Sequence, residues 1–306
     1  MDRFKFLTSF FPSILILIFS SMFIVLIYNS LPILEREGIR FITDSTWRAS
    51  ESNPEEEWYG IATALWGTLY TAILATAITL PLSLSTAIFI CEFAPRKVRE
   101  FLAITLDMMA TLPTVVYGVW GMTILAPTVR DHVIIPIVEA LGWTLIFSEY
   151  SPSGQCIFTA ALVLAIMNIP YATAILREAY TMIPQVYREG IISLGATRTE
   201  AIRILLGMIK HAIIAAVALS FGKAVGETTA VTLTVGNSFK MSLSPFVAGY
   251  TVTSLLVNQF GNAYTYKYAS YALYGAALVM LLINTICILA GLTLASRWAK
   301  TYGFRT

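Results

Sequence analysis

Two charged side chains, Lys223 and Glu227, stand four residues apart in the apolar stretch FGKAVGETTAV. On a helix this spacing places both on one face, close enough to pair. A charge costs about 2.5–3.5 kcal/mol near the centre of a membrane-inserted helix, and such residues commonly mark a pathway. A lysine partly neutralised by a glutamate would attract an oxyanion weakly enough to release it. The alternative is a buried ion pair that holds the bundle, or two subunits, together.

Hydroxyl groups follow this pair along the chain. Thr228 and Thr229 could contact a bound anion and complete the candidate pathway, and Thr232 and Thr234 add two more hydroxyls. For each threonine, bonding to a carbonyl of its own helix is the competing interpretation.

The remaining residues do not predict an enzyme or a metal site. His132 and His211 are far apart, and the three cysteines form no CxxC pair. A membrane-embedded enzyme would need a nucleophile with its base or a set of metal ligands. We therefore expect no catalytic residue, no metal and no cofactor in this chain.

The composition indicates which elements hold these groups. The 306 residues are 57% hydrophobic and 12% charged, and a soluble domain carries about twice that share of charge. Stretches of about 20 apolar residues can cross a bilayer as helices. The sequence therefore predicts an all-α, polytopic membrane protein with six transmembrane helices, at residues 10–31, 64–91, 103–126, 156–176, 211–235 and 271–296.

The distribution of basic residues predicts the orientation. With both termini in the cytoplasm, thirteen Lys and Arg residues lie inside and six outside, as the positive-inside rule favours. The protein is then a multi-pass protein of the cell (inner) membrane. The chain divides into a first helix with an external acidic segment (1–63), a core of five helices (64–296) with a cytoplasmic loop at 177–210, and a cytoplasmic tail (297–306).

The longest predicted cytoplasmic loop contains EGIISLGATRTEAIRILLG, residues 189–207. Gly195 suits the left-handed position after a first short helix. Thr197 and Glu200 have the spacing of a capping box for a second one. One face of this second helix is apolar, through Ile202, Leu205, Leu206 and Ile209. The pattern predicts either a knob that docks on a soluble partner or an amphipathic hairpin on the lipid surface.

This stretch resembles the cytoplasmic coupling loop of ABC-importer permeases, whose pattern is E-A-A-x3-G-x9-I-x-L-P. The glutamate and the first glycine of that pattern match Glu189 and Gly195. The positions of the two alanines, the isoleucine and the final Leu-Pro are occupied here by Gly190, Ile191, Leu205, Gly207 and Met208. The loop therefore departs from the family pattern at its end and at both alanines.

Four other stretches are similar to the phosphate-import permease family, and to its PstC-type subunit more than to its PstA-type subunit. They are FAPRKVREFL (93–102), LPTVVYGVWG (112–121), AVGETTAVTLTVGN (224–237) and LLVNQFGNA (255–263). The resemblance implies a pore shared with a PstA-type permease, two cytoplasmic PstB-type ATPases, an external PstS-type binding protein, and inorganic phosphate as substrate. In that family the position of Lys223 is usually basic and often Arg.

The resemblance also assigns a role to the loop. Its helical knob would sit in a groove of the ATPase, with the apolar face against that groove. The residues implied in this coupling are Glu189, Gly190, Ser193, Leu194, Gly195, Ala196, Thr197, Arg198 and Glu200. The chain has no G-x-x-x-x-G-K-[ST] sequence, so ATP hydrolysis is expected in partner subunits and not here.

Two functional alternatives and one open structural question remain at this level. The substrate could be another oxyanion, such as sulfate, molybdate or tungstate, and a stand-alone channel or secondary transporter would work without ATP. The polar segments 32–62, 127–155 and 236–268 could form an external platform for a binding protein or be loose, solvated loops. No nucleic-acid partner is expected.

Overall fold

The computed structural model describes residues 2–51, 53–144 and 146–301, with side chains for 10–51, 53–144 and 146–296. Its helices in chain order are α1 (Asp2–Glu37), α2 (Arg40–Thr43), α3 (Ala62–Ile88), α4 (Arg96–Thr111), α5 (Thr114–Trp120), α6 (Ala126–Val129), α7 (Ile135–Leu141), α8 (Ile157–Thr181), α9 (Gln185–Ser193), α10 (Arg198–Met208), α11 (Lys210–Gly226), α12 (Thr229–Thr234), α13 (Val252–Phe260) and α14 (Ala269–Thr301). Two short antiparallel strands, β1 (Trp47–Arg48) and β2 (Trp58–Tyr59), pair Trp47 with Tyr59. Single π-helical turns extend α3 to Phe93 and join α5, α6 and α7.

Four of the described helices are long and apolar enough to cross a membrane, and up to six spans result if two bent helix pairs each count as one. The four are Phe10–Glu37, Ala62–Phe93, Ile157–Thr181 and Ala269–Ser296. They confirm the first, second, fourth and sixth predicted spans, and the protein is an all-α, polytopic membrane protein. The last ten residues, predicted to be a tail, lie outside the described side chains.

The third predicted span is not a single helix. The prediction of one continuous helix over 103–126 is wrong, because α4 and the helical run 114–141 meet there at 92°, as a broken span or a re-entrant loop. Pro113 has no amide N–H to donate and disfavours helical geometry at Leu112, whose ψ is 134°. The amphipathic helix α4 buries none of its residues in this chain. The helical run begins after the proline and extends 15 residues beyond the predicted end.

The fifth predicted span is interrupted in its middle. α11 ends at Gly226, Glu227 is extended with φ −71° and ψ 128°, and α12 begins at Thr229. The chain also bends by 66° between α10 and α11. Non-helical backbone at membrane depth is tolerated only where protein buries it or where it lines a cavity. We therefore expect the interruption either to be enclosed by protein or to line a cavity.

Small residues form the main helix–helix contact. α3 packs along α8 through Ala72, Ala75, Ala160 and Ala161, all fully buried. In lipid, close backbone approach through small side chains is a principal source of helix association. The α3–α8 pair is therefore the rigid centre of the bundle, and α11 and α12 pack beside it.

Gly67 of α3 allows another close approach, and its replacement gives a stability prediction. A Cβ at this position would lie 2.1 Å from the carbonyl oxygen of Tyr250, so we expect Gly67→Ala to destabilise the chain by about 1–3 kcal/mol through overpacking. Gly207→Ala is the control, because nothing lies within 4 Å of its Cβ position and alanine favours a helix interior by about 0.5–1 kcal/mol. Thermal unfolding in detergent measures both. An unchanged melting temperature for Gly67→Ala would contradict this packing.

A buried carboxylate joins two of the segments predicted to be external. Glu57 accepts hydrogen bonds from the Tyr59 hydroxyl (2.8 Å) and from the backbone N–H groups of Lys267 (3.2 Å) and Tyr268 (3.0 Å). Burial and this carboxylate raise the pKa of the Tyr59 phenol. The acidic run therefore contains one structural glutamate that connects β2 to the start of α14.

Aromatic stacking and main-chain bonds connect the remaining segment. Trp47 stacks on Phe239, which stacks on Tyr250 at a centroid distance of 4.4 Å. The Ser244 hydroxyl donates to the Glu149 carbonyl at 2.9 Å. The three segments thus form one interlocked layer rather than loose loops. Docking of a binding protein on this layer stays a prediction.

Candidate functional site

Lys223 lies in the last turn of α11, immediately before the interruption. Its side chain is exposed on the surface of this chain, and its ammonium nitrogen lies 5.3 Å from the centre of the Tyr171 ring. Both the carbonyl end of a helix and an aromatic face attract a cation. Both features attract the ammonium group, and the Lys223 side chain remains exposed on the surface of this chain.

Glu227 does not form the predicted ion pair with Lys223. Among the described residues no carboxylate oxygen lies within 4.0 Å of the lysine nitrogen. The helix ends before Glu227, so the four-residue spacing no longer places the two side chains on one helical face. Its carboxylate instead accepts the Ala230 N–H at 3.4 Å, and its carbonyl accepts the Thr253 hydroxyl at 2.9 Å. Glu227 therefore supports the interruption, and Lys223 is the exposed charge.

The threonines of this stretch divide into two groups. Thr232 and Thr234 donate to the carbonyls four residues earlier, at 2.7 Å each, as the helix-bonding interpretation predicts. The Thr228 hydroxyl reaches the Gly226 carbonyl at 3.4 Å, and Thr229 begins α12. Thr228 and Thr229 thus lie at the interruption itself, five and six residues after Lys223.

The loop at 177–210 has the predicted local structure. α9 ends at Ser193, and Gly195 follows with φ +84°, the left-handed conformation that glycine adopts without strain. The Thr197 N–H donates to Glu200 at 2.8 Å, and the Glu200 N–H donates back to the Thr197 hydroxyl at 3.4 Å, a capping box. Hydrogen bonds from Thr197 lower the pKa of the Glu200 carboxyl.

The apolar face of the second loop helix points into this chain. Leu205 of α10 and Ile209 immediately after it are buried against Tyr180 and Ile183. For these two residues the expectation of contact with a groove of another protein is wrong, whereas Ile202 and Leu206 are only partly buried. Helical periodicity indicates that a face is apolar but does not say which surface covers it.

The exposed apolar side chains of the loop lie on α9 and the turn after it. Leu194 is 89% exposed, Val186 76% and Ile192 64%. Glu189 is exposed beside them and accepts the Gln185 amide at 2.8 Å. Gly190, Ser193, Ala196 and Thr197 complete this surface. The structure brings together all of the implied coupling residues except Arg198.

Arg198 is exposed but contacts a residue that the sequence interpretation did not include. Its guanidinium donates to the carbonyl oxygen of Glu92 and lies 4.3 Å from the Phe93 ring centre. Glu92 also pairs with Arg188 at 2.6 Å. These partners are about one hundred residues apart in the chain, so the only sequence signal was a carboxylate at the end of the second apolar stretch.

The interrupted membrane helix with an exposed lysine, and the short-helix loop held under the bundle, are features of a membrane transport subunit. A family described as binding-protein-dependent transport system inner membrane component matches residues 79–300. The chain belongs to this family of permeases.

Relatives of the chain carry more specific names. The probable phosphate transport system permease protein PstC of Methanocaldococcus jannaschii is 43% identical over 303 residues, 98% of this chain and 95% of that protein. The PstC protein of Pasteurella multocida is 32% identical over 97% of this chain and 92% of its own length. A chain from inward-facing structures of the MetNI methionine ABC transporter has a TM-score of 0.54 at 15% identity, covering 78% of this chain and 94% of that chain. This last likeness shows the fold alone.

Proposed function

We propose that this chain is a permease subunit of an ATP-driven phosphate importer and forms half of its translocation pathway. The observation that carries the proposal is the 43% identity to a probable phosphate transport permease over 98% of the chain. Lys223, exposed beside an interrupted helix, supplies a positive group for an oxyanion. Interrupted helices commonly form substrate sites near the middle of membrane transporters.

The second half of the pathway would come from a PstA-type permease. Lys223 and the interruption lie on the surface of this chain, where a second subunit would enclose them. A single ammonium group binds an anion as a point charge, without the planar fork of arginine. Such a contact would hold phosphate and still allow its release.

Two cytoplasmic PstB-type ATPases would drive transport through α9 and the Gly195 turn. The exposed apolar residues there, Leu194 and Ile192 above all, provide the docking surface. Both termini would then lie in the cytoplasm, and the interlocked layer around Glu57 would face outward to a PstS-type binding protein. The chain itself would hydrolyse no ATP.

Labelled phosphate uptake in proteoliposomes tests this proposal. The vesicles would hold this chain, the second permease and the ATPases, with the binding protein outside and with or without ATP inside. We expect uptake that requires ATP and is blocked by excess phosphate but not by sulfate. Uptake of sulfate, molybdate or tungstate instead would replace the substrate and keep the architecture. Uptake without ATP would overturn the ATP-driven mechanism.

A further inference from the structure

One carboxylate at the end of α3 contacts the loop at 177–210 and the end of α8 at the same time. Glu92 lies in the π-helical turn Phe89–Phe93 that extends α3. Its Oε1 atom accepts a hydrogen bond from the Arg188 guanidinium at 2.6 Å and another from the Tyr180 hydroxyl at 2.8 Å. Arg188 belongs to α9 and Tyr180 to α8, so a single oxygen atom joins three helices.

Arg188 closes this arrangement into a ring of contacts. Its second guanidinium nitrogen donates to the Tyr180 carbonyl at 3.1 Å, and the guanidinium carbon lies 4.7 Å from the centre of the Tyr180 ring. The Glu92 and Arg188 side chains are only 16% and 26% exposed. A partly buried, charge-assisted bond of this kind is stronger and more directional than a surface ion pair.

The other loop helix is fixed to the same place. Arg198, the first residue of α10, donates to the main-chain carbonyl of Glu92 and covers the Phe93 ring. Both helices of the loop are therefore attached to the π-helical turn that extends α3: α9 contacts Glu92, and α10 contacts Glu92 and Phe93. Because α3 packs along α8, a displacement of the loop must also displace the ends of this central helix pair.

We propose that Glu92 is a positioning residue that transmits the movement of α9 and α10 to α3 and α8. This inference rests on the proposed function, in which the loop receives its movement from an ATPase. α8 also carries Tyr171, which lies against Lys223. The Glu92 contacts thus connect the docking surface to α8, whose Tyr171 contacts the pathway lysine of α11.

The first test measures the attachment without transport. Glu92→Gln keeps the size of the side chain and removes its charge, and the isolated chain is studied in lipid nanodiscs by hydrogen exchange. Loss of the charge-assisted bonds should accelerate amide exchange in 185–193 by about tenfold, with exchange in α14 unchanged. Glu100→Gln is the control, since Glu100 pairs only with the exposed Arg96 among the residues described. Unchanged exchange in Glu92→Gln would overturn the inference.

The second test measures coupling in the assembled transporter. We expect Glu92→Gln to keep most ATPase activity but to lower anions transported per ATP hydrolysed by about tenfold. Arg188→Gln should also lower this ratio, and the double variant should lose less than the two single effects combined, because both changes remove the shared Glu92–Arg188 bond. A parallel fall of ATPase activity and uptake, or additive effects in the double variant, would contradict the inference. A wild-type complex without ATP-dependent uptake would instead refute the proposed function. The hydrogen-exchange experiment would still test whether Glu92 holds α9 in place.

Discussion

Uptake by the assembled transporter should fall by roughly tenfold to a hundredfold when Lys223 is replaced by alanine, because a hydrogen bond to a charged group contributes about 1.5–3 kcal/mol. The side chain is exposed on this chain, and no described carboxylate lies within ion-pair distance of it. Its removal therefore leaves no buried countercharge and should not disturb assembly. The measurement is phosphate uptake in proteoliposomes, together with the amount of intact complex recovered from the membrane.

Two variants separate the charge from the rest of the side chain. Lys223→Arg keeps a cation and should retain much of the uptake, whereas Lys223→Met keeps only the apolar stem and should behave like alanine. Lys240→Ala is the matched control for a lost cation, because Lys240 pairs with Glu149 in the interlocked layer. If Lys223→Ala causes the complex to fall apart, the lysine joins subunits and does not line a pathway.

Glu189→Lys and Gly195→Asp should uncouple ATP hydrolysis from transport while the chain still inserts and folds. Among the described residues Glu189 is exposed and bonded only to Gln185 of its own helix, and nothing lies within 4 Å of the Cβ position of Gly195. Neither change removes a contact between different helices. Each reverses or adds a charge at the surface where an ATPase would dock, and a like-charge juxtaposition at an interface costs several kcal/mol. We expect uptake to fall by at least about tenfold.

Neighbouring substitutions provide the controls for this prediction. Gly190→Ala places a small side chain in open space, at a position where the ABC-importer pattern has alanine, and should transport normally. Gly195→Asn tolerates the left-handed backbone (φ +84°) without adding a charge, so it separates backbone strain from electrostatics. Normal uptake by both Glu189→Lys and Gly195→Asp would exclude the loop surface from coupling.

Local patterns in the sequence were sufficient to predict many of the helices and caps of this molecule. Stretches of about 20 apolar residues have no alternative to helical structure in a bilayer, and four predicted spans are continuous helices. The capping box of Thr197 and Glu200 and the left-handed Gly195 were also predicted, since both depend on residues within one turn of each other. The resemblance in the loop and the apolar stretches led to the family in which the chain belongs.

Only the tertiary structure decided how these elements meet. Gly118 and Gly121 pack inside this chain, against α12 and against Val163 of α8. Leu205 of α10 packs against Tyr180 and Ile183, so the surface proposed to dock an ATPase lies on α9.

One predicted ion pair that does not form, and one unpredicted pair that does, show why sequence alone could not decide these contacts. Lys223 and Glu227 have the spacing of a helical pair, but the helix stops between them, and the Glu227 carbonyl accepts a hydrogen bond from Thr253, which is distant in the sequence. Glu92 and Arg188 have no sequence pattern in common and yet form a bond of 2.6 Å. Hydrophobic length and capping act within a few residues and can be read from the chain. Pairing between distant residues depends on which helices pack together, and that is determined only when the bundle forms.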